Sequence, residues 1–170
     1  MRFSLFFMLI GFMFLILVGC SKESSVDDKA MSADEQTAEQ YVIANGYTIV
    51  SDKGLVNSYT LEKSKLSGGT ESIPYQQTWG VQNIEPEAFF GKEINIYGFT
   101  VSNHPLEKEF QTKTNVYVML SESKVIGGYS FPDVEGLLGA CYSLDGKTLE
   151  EVTGLTFSEW RDDWKKKYGN

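Results

Sequence analysis

The first twenty residues constrain this chain more than anything else in it. Met1-Arg2 is a short basic start, and Phe3 to Val18 is apolar except for Ser4 and Gly11. Those 16 residues fall short of the roughly 20 that a bilayer-spanning helix needs. The run closes on Leu17-Val18-Gly19-Cys20 and turns polar at once. A basic start, an apolar stretch of this length and small residues at its end read as a secretory signal. The folded part must then be built from the residues after Cys20, outside the cytoplasm.

Gly19-Cys20 at the end of an apolar run resembles the lipobox of bacterial lipoprotein signal peptides. In that family the cysteine thiol receives a diacylglyceryl group and the peptide is cut just before it. A plain signal anchor, or an ordinary signal with a chance cysteine, is the competing reading. An ordinary signal ends in an A-x-A-like site, whereas Leu17 stands third from a cut after Gly19 here. The resemblance implies cleavage between Gly19 and Cys20 and lipid attachment at Cys20. It implies a domain on the extracytoplasmic face of the cell membrane. Two or more acyl chains hold a protein stably where one does not.

Removing residues 1–19 leaves 151 residues, and Arg2 goes with them, so 14 basic residues face 23 acidic ones, a net −9. That balance excludes a nucleic-acid partner, which calls for a basic face to displace phosphate counterions. It also excludes docking on anionic lipid through a basic patch. Eighteen aromatic residues remain, enough for a sizeable core in one domain. Cys20 and Cys141 are the two cysteines. With Cys20 taken by lipid, Cys141 has no disulfide partner, and its apolar run Leu137 to Tyr142 marks it as a small buried hydrophobe.

Residues 20–31 read as the lipidated cysteine and a flexible tether, with a typical reach on the order of 20 Å. Residues 32–170 read as a single α+β domain. Ser32 and Glu35 fit a capping box, and apolar spacing predicts a helix over 33–45, stopped by Gly46. Tyr47 to Val50 reads as a strand, Asp52-Lys53-Gly54 as a turn and Leu55 to Lys63 as a second strand. Pro74 opens a short helix through Trp79. Glu93 to Ser102 is apolar on both faces, as a central strand is. Asn115 to Leu120 and Lys124 to Gly128 form a hairpin about Glu122-Ser123. Thr148 with Glu151, and Thr156 with Glu159, fit two more capping boxes. Phe157, Trp160, Trp164 and Tyr168 then make a helical aromatic stripe, read as core-facing. The expected architecture is an antiparallel sheet of four to five strands, covered by an N-terminal helix and C-terminal helices.

No catalytic constellation emerges. His104, the only histidine, precedes Pro105 and reads as a surface loop residue. One histidine without a close cysteine pair makes no zinc site, and no G-x-S-x-G elbow is present. Gly146-Lys147-Thr148 resembles the end of a phosphate loop, but Cys141 stands where the first glycine belongs, so a turn and an N-cap fit better. Ser121-x-x-Lys124 falls in a hairpin turn and lacks its partner motifs. Carboxylates such as Asp133 and Glu135 are plentiful without being paired by spacing. No catalytic residue, metal or cofactor is expected.

Further stretches carry a second resemblance. They are Ile96-Tyr97-Gly98-Phe99-Thr100-Val101-Ser102-Asn103-His104-Pro105, then Val116-Tyr117-Val118 and Lys124-Val125-Ile126-Gly127-Gly128, and Tyr142-Ser143-Leu144-Asp145-Gly146-Lys147-Thr148. With the helix and Gly46-Tyr47 entry, they resemble a family of uncharacterised extracytoplasmic lipoproteins of Gram-positive, spore-forming bacteria, defined by a domain of unknown function. The resemblance covers residues 38–130 with a looser C-terminal extension. It implies a cell-envelope setting and carries over no site residues. The expected function is a non-enzymatic envelope module that binds a protein, peptide or cell-wall component. An envelope hydrolase working through carboxylates is the alternative. A ligand-binding component of a transporter ranks last, because the chain is short for two lobes.

Overall fold

A five-stranded antiparallel sheet whose strands lie side by side in chain order organises the protein. The structure is a computed structural model that describes residues 31–135, 139 and 141–169. The signal segment, the tether and Cys20 lie outside the described residues. Residues 31–170 group as one compact unit. The strands are β1 (Thr48–Thr60), β2 (Glu93–Ser102), β3 (Thr114–Ser121), β4 (Lys124–Pro132) and β5 (Tyr142–Ser143). The helices are α1 (Ala33–Ala44), α2 (Lys63–Leu66), α3 (Ile73–Gly80), α4 (Pro105–Phe110), α5 (Leu149–Thr153) and α6 (Phe157–Tyr168). The α+β class and the helix-covered antiparallel sheet agree with the sequence reading.

Helix α1 starts where its capping box dictates: Ser32 Oγ accepts the Glu35 N–H at 3.1 Å, and Glu35 accepts the Ser32 N–H at 3.2 Å. It ends before Gly46, whose φ of +85° is open to glycine at low cost. Between these stops, Ala38 and Val42 pack on one face of the sheet, against Tyr97, Phe99 and Val101 of β2 and Val116, Val118 and Leu120 of β3. The opposite face carries Ile94, Ile96 and Met119 under Leu61, Leu66, Trp79 of α3 and Tyr168 of α6. Alternation along β2 thus feeds two cores, as apolar groups on both sides of that strand require.

Three details depart from the sequence reading. The expected turn at Asp52-Lys53-Gly54 does not reverse the chain. The Asp52 carboxylate accepts the Gly54 N–H at 2.7 Å, and Gly54 takes φ +66°, but β1 runs on through a bulge. Two further bulges follow Ile49 and Leu55. The same local bond that closes a turn here kinks an edge strand, a device that blunts edge-to-edge pairing. Second, the break after β2 holds a helix, α4, with Pro105 in its first turn. Third, the hairpin partner β4 extends four residues past Gly128, to Pro132.

Candidate functional site

Strand β5 pairs with only two residues of β4, Tyr129 and Ser130. Among the described residues, no strand therefore lies beside the outer side of β4 from Lys124 to Gly128. A cleft of 370 Å³ opens there. Tyr41 and Asn45 from the end of α1 form one wall, and Ser143 to Asp145 form another. Val81 to Ile84, just after α3, close the third side, and Val125 to Gly128 make the floor.

Gln82 holds the floor in place. Its Nε2 donates to Gly128 O at 3.0 Å and its Oε1 accepts the Gly128 N–H at 2.9 Å. One side-chain amide thus satisfies both backbone groups that a neighbouring strand would otherwise take. Nε2 also donates to Thr78 O at 2.6 Å, which fixes the amide on α3. The approach needs bare backbone at this point, and Gly127 takes φ +155°.

The wall at Ser143 to Asp145 is tied internally. The Ser143 N–H donates to Lys147 O at 2.8 Å, and the Lys147 N–H donates to Ser143 Oγ at 2.9 Å. Lys147 Nζ meets Asp145 Oδ2 at 2.7 Å. Burial pushes the Asp145 carboxyl up, but hydrogen bonds from Lys147 and Ser143 outweigh it and hold it below the usual carboxylate range. Among the described residues, Asp145 is the only charged one lining the cleft. Its pairing with Lys147 leaves the cleft without net charge, so the site suits a neutral ligand.

His104 is not the surface residue its sequence setting implied. It is 2% exposed. Its ring caps α4, with Nδ1 accepting the Leu106 N–H at 3.2 Å. An X-Pro loop position gives no hint of this, because the cavity that receives the ring is built by Tyr47 and the turn at Gly146, both distant in sequence. Cys141 is buried as expected, and burial pushes its thiol up to about 12. Gly146, at φ +85°, and Thr148, with its capping box, form the expected turn and N-cap. Ser121 Oγ donates to Glu93 O at 2.9 Å, and Lys124 opens β4 across the two-residue turn. Asp133 accepts from Asn115 Nδ2 at 2.9 Å at the surface, and Glu135 is exposed. The structure does not bring these carboxylates into the cleft. Among the described residues, no group of three or more His, Cys, Asp or Glu side chains gathers for a metal.

The cleft residues Gln82, Tyr41 and Asn45 were not singled out by sequence. Only the Gly127-Gly128 pair inside a strand signals a close approach. No protein-family profile, curated protein or solved structure matches the chain.

Proposed function

We propose that the chain is a membrane-anchored lipoprotein of the cell envelope, cut between Gly19 and Cys20 and held by lipid on Cys20. Its domain serves as a non-enzymatic module that binds an envelope protein, peptide or cell-wall ligand. The cleft beside β4 carries the binding part of this reading. Its floor is a sheet edge whose backbone groups at Gly128 are held by Gln82, its wall at Ser143 to Asp145 is fixed by its own hydrogen bonds, and the one charge in its lining is paired with Lys147. Preorganisation of this kind lowers the ordering cost of binding. The ligand class that fits is neutral and small enough to sit over a sheet edge that Gln82 already closes at Gly128.

The test places a photocrosslinking residue at exposed Asn83 in the cleft and, as control, at Glu39 on α1, which does not line it. Crosslinks in intact cells from position 83 and none from position 39 support the reading. Equal yields from both positions, or none from 83, reject it.

A further inference from the structure

We propose that His104 is a proton-operated latch on the wall of the cleft, an inference that rests on reading that cleft as the binding site. His104 is the chain's one histidine. Its nitrogens do different work. Nδ1 accepts the Leu106 N–H, so it carries no proton in the neutral ring. The proton therefore sits on Nε2, which donates to Leu144 O at 2.9 Å. One imidazole ties the start of α4 to the turn that follows β5, and the end of β5 with that turn supplies Ser143, Leu144 and Asp145 to the cleft. The Tyr47 ring lies 4.7 Å from the imidazole, and its hydroxyl donates to the same Leu144 O at 3.1 Å. Gly146 packs so closely that a Cβ there would sit 3.2 Å from His104 Cε1.

A second proton has only Nδ1 to bind. Nδ1–H would then face the Leu106 N–H, donor against donor, and the cap bond is lost. The imidazolium is left almost wholly screened from water, with one hydrogen bond where it had two. Turning toward solvent relieves both penalties and breaks the bond to Leu144 O. Burial pushes His104 below the usual histidine range, while Leu144 O, Asp145 and Glu107 pull the other way. These are the groups that face it. Asp145 comes from the turn, paired to Lys147, and Glu107 from α4, paired to Lys113. Tyr47 stands at the entry to β1, its phenol pushed up to about 12 and so neutral. Lys113 and the Asn103 N–H hold Glu107 below its ordinary value, and Lys147 and Ser143 hold Asp145 below its own. Both shifts favour the charged carboxylate, so each ion pair resists protonation as the pH falls.

A lone histidine makes the test direct, since its Cε1–H resonance is unambiguous. The whole protein in detergent micelles is titrated by NMR from about pH 7.5 to about pH 4.5, with far-UV circular dichroism alongside. The expected result is one imidazole titration below about 6.5, with the Leu106, Leu144, Asp145 and Gly146 amides shifting at the same midpoint and the dichroism unchanged. An imidazole midpoint at or above that value overturns the latch. So do stationary Leu144 to Gly146 amides, or loss of the whole fold at that midpoint. His104→Asn keeps an N-cap acceptor and has no proton to gain. Flat Leu144 to Gly146 amides in this variant support the latch, and a persisting shift overturns it. If the variant does not fold, the wild-type titration decides. Crosslinking from Asn83 should be lost below the midpoint, and yields that ignore pH overturn regulation of the cleft. Yields absent at every pH reject the binding reading instead, and the amide titration then judges the latch alone.

Discussion

Thr114 carries the one buried side-chain oxygen without a hydrogen-bond partner among the described residues. It sits on β3 opposite Val101 and Pro132, fully buried. A hydroxyl in that state costs its desolvation and receives nothing back, so Thr114→Val is expected to stabilise the domain by about 1 kcal/mol in urea unfolding. Gln82→Ala works in the opposite sense. It strips partners from both backbone groups of Gly128, and a loss of about 1–3 kcal/mol is expected. Gln82→Glu still accepts the Gly128 N–H but sets a carboxylate oxygen against the Gly128 and Thr78 carbonyls, so its urea midpoint should fall at least as far as that of Gln82→Ala. His104 sets a pH dependence whose sign follows from its lowered value in the fold. Above about 6.5 the ring is neutral in both states and its contribution is complete. As pH falls through that value, the unfolded chain takes up a proton that the fold resists, and stability drops. Thermal melts at about pH 7.5 and 5 should show the fall, and His104→Asn should shrink it. Equal falls in both proteins would assign the loss to carboxylates.

Helix α6 shows how one stripe divides its labour. Trp160 and Tyr168 are buried, while Phe157 is 49% exposed. The Trp160 ring lies flush on α3, where a Cβ on Gly80 would come within 2.6 Å of Cζ2. Trp164 Nε1 donates to Leu66 O at 2.9 Å, and Lys167 reaches Glu85 and Glu87. Trp160→Ala should therefore cost on the order of 3–5 kcal/mol, and Phe157→Ala close to nothing, in the same denaturation assay. The sequence reading placed both rings in the core. Helical spacing puts residues on one side of a helix, but the length of the surface they meet decides how many are covered, and spacing carries no record of it. Capping boxes were legible at all three helices because their chemistry lies within four residues. The bulged β1 and the buried His104 were not, since both depend on partners about forty to sixty residues away. For the same reason the cleft left only a glycine pair as its trace. It is assembled from four separate segments, none with a motif of its own.

At the scale of the whole molecule, two cysteines are expected to behave as opposites. Cys20→Ala should abolish incorporation of labelled fatty acid in growing cells, because the thioether has no other thiol to use while Cys141 stays buried. Labelling that survives the substitution would rule out the anchor. The sheet order adds a consequence for how the protein comes into being. Each strand lies beside the one made just before it, so no strand must slot between two that already pair. A chain that emerges N-terminus first, from a ribosome or a membrane pore, can lay down this sheet in the order in which its residues appear. Neighbour-to-neighbour pairing leaves few partial products with an open interior edge.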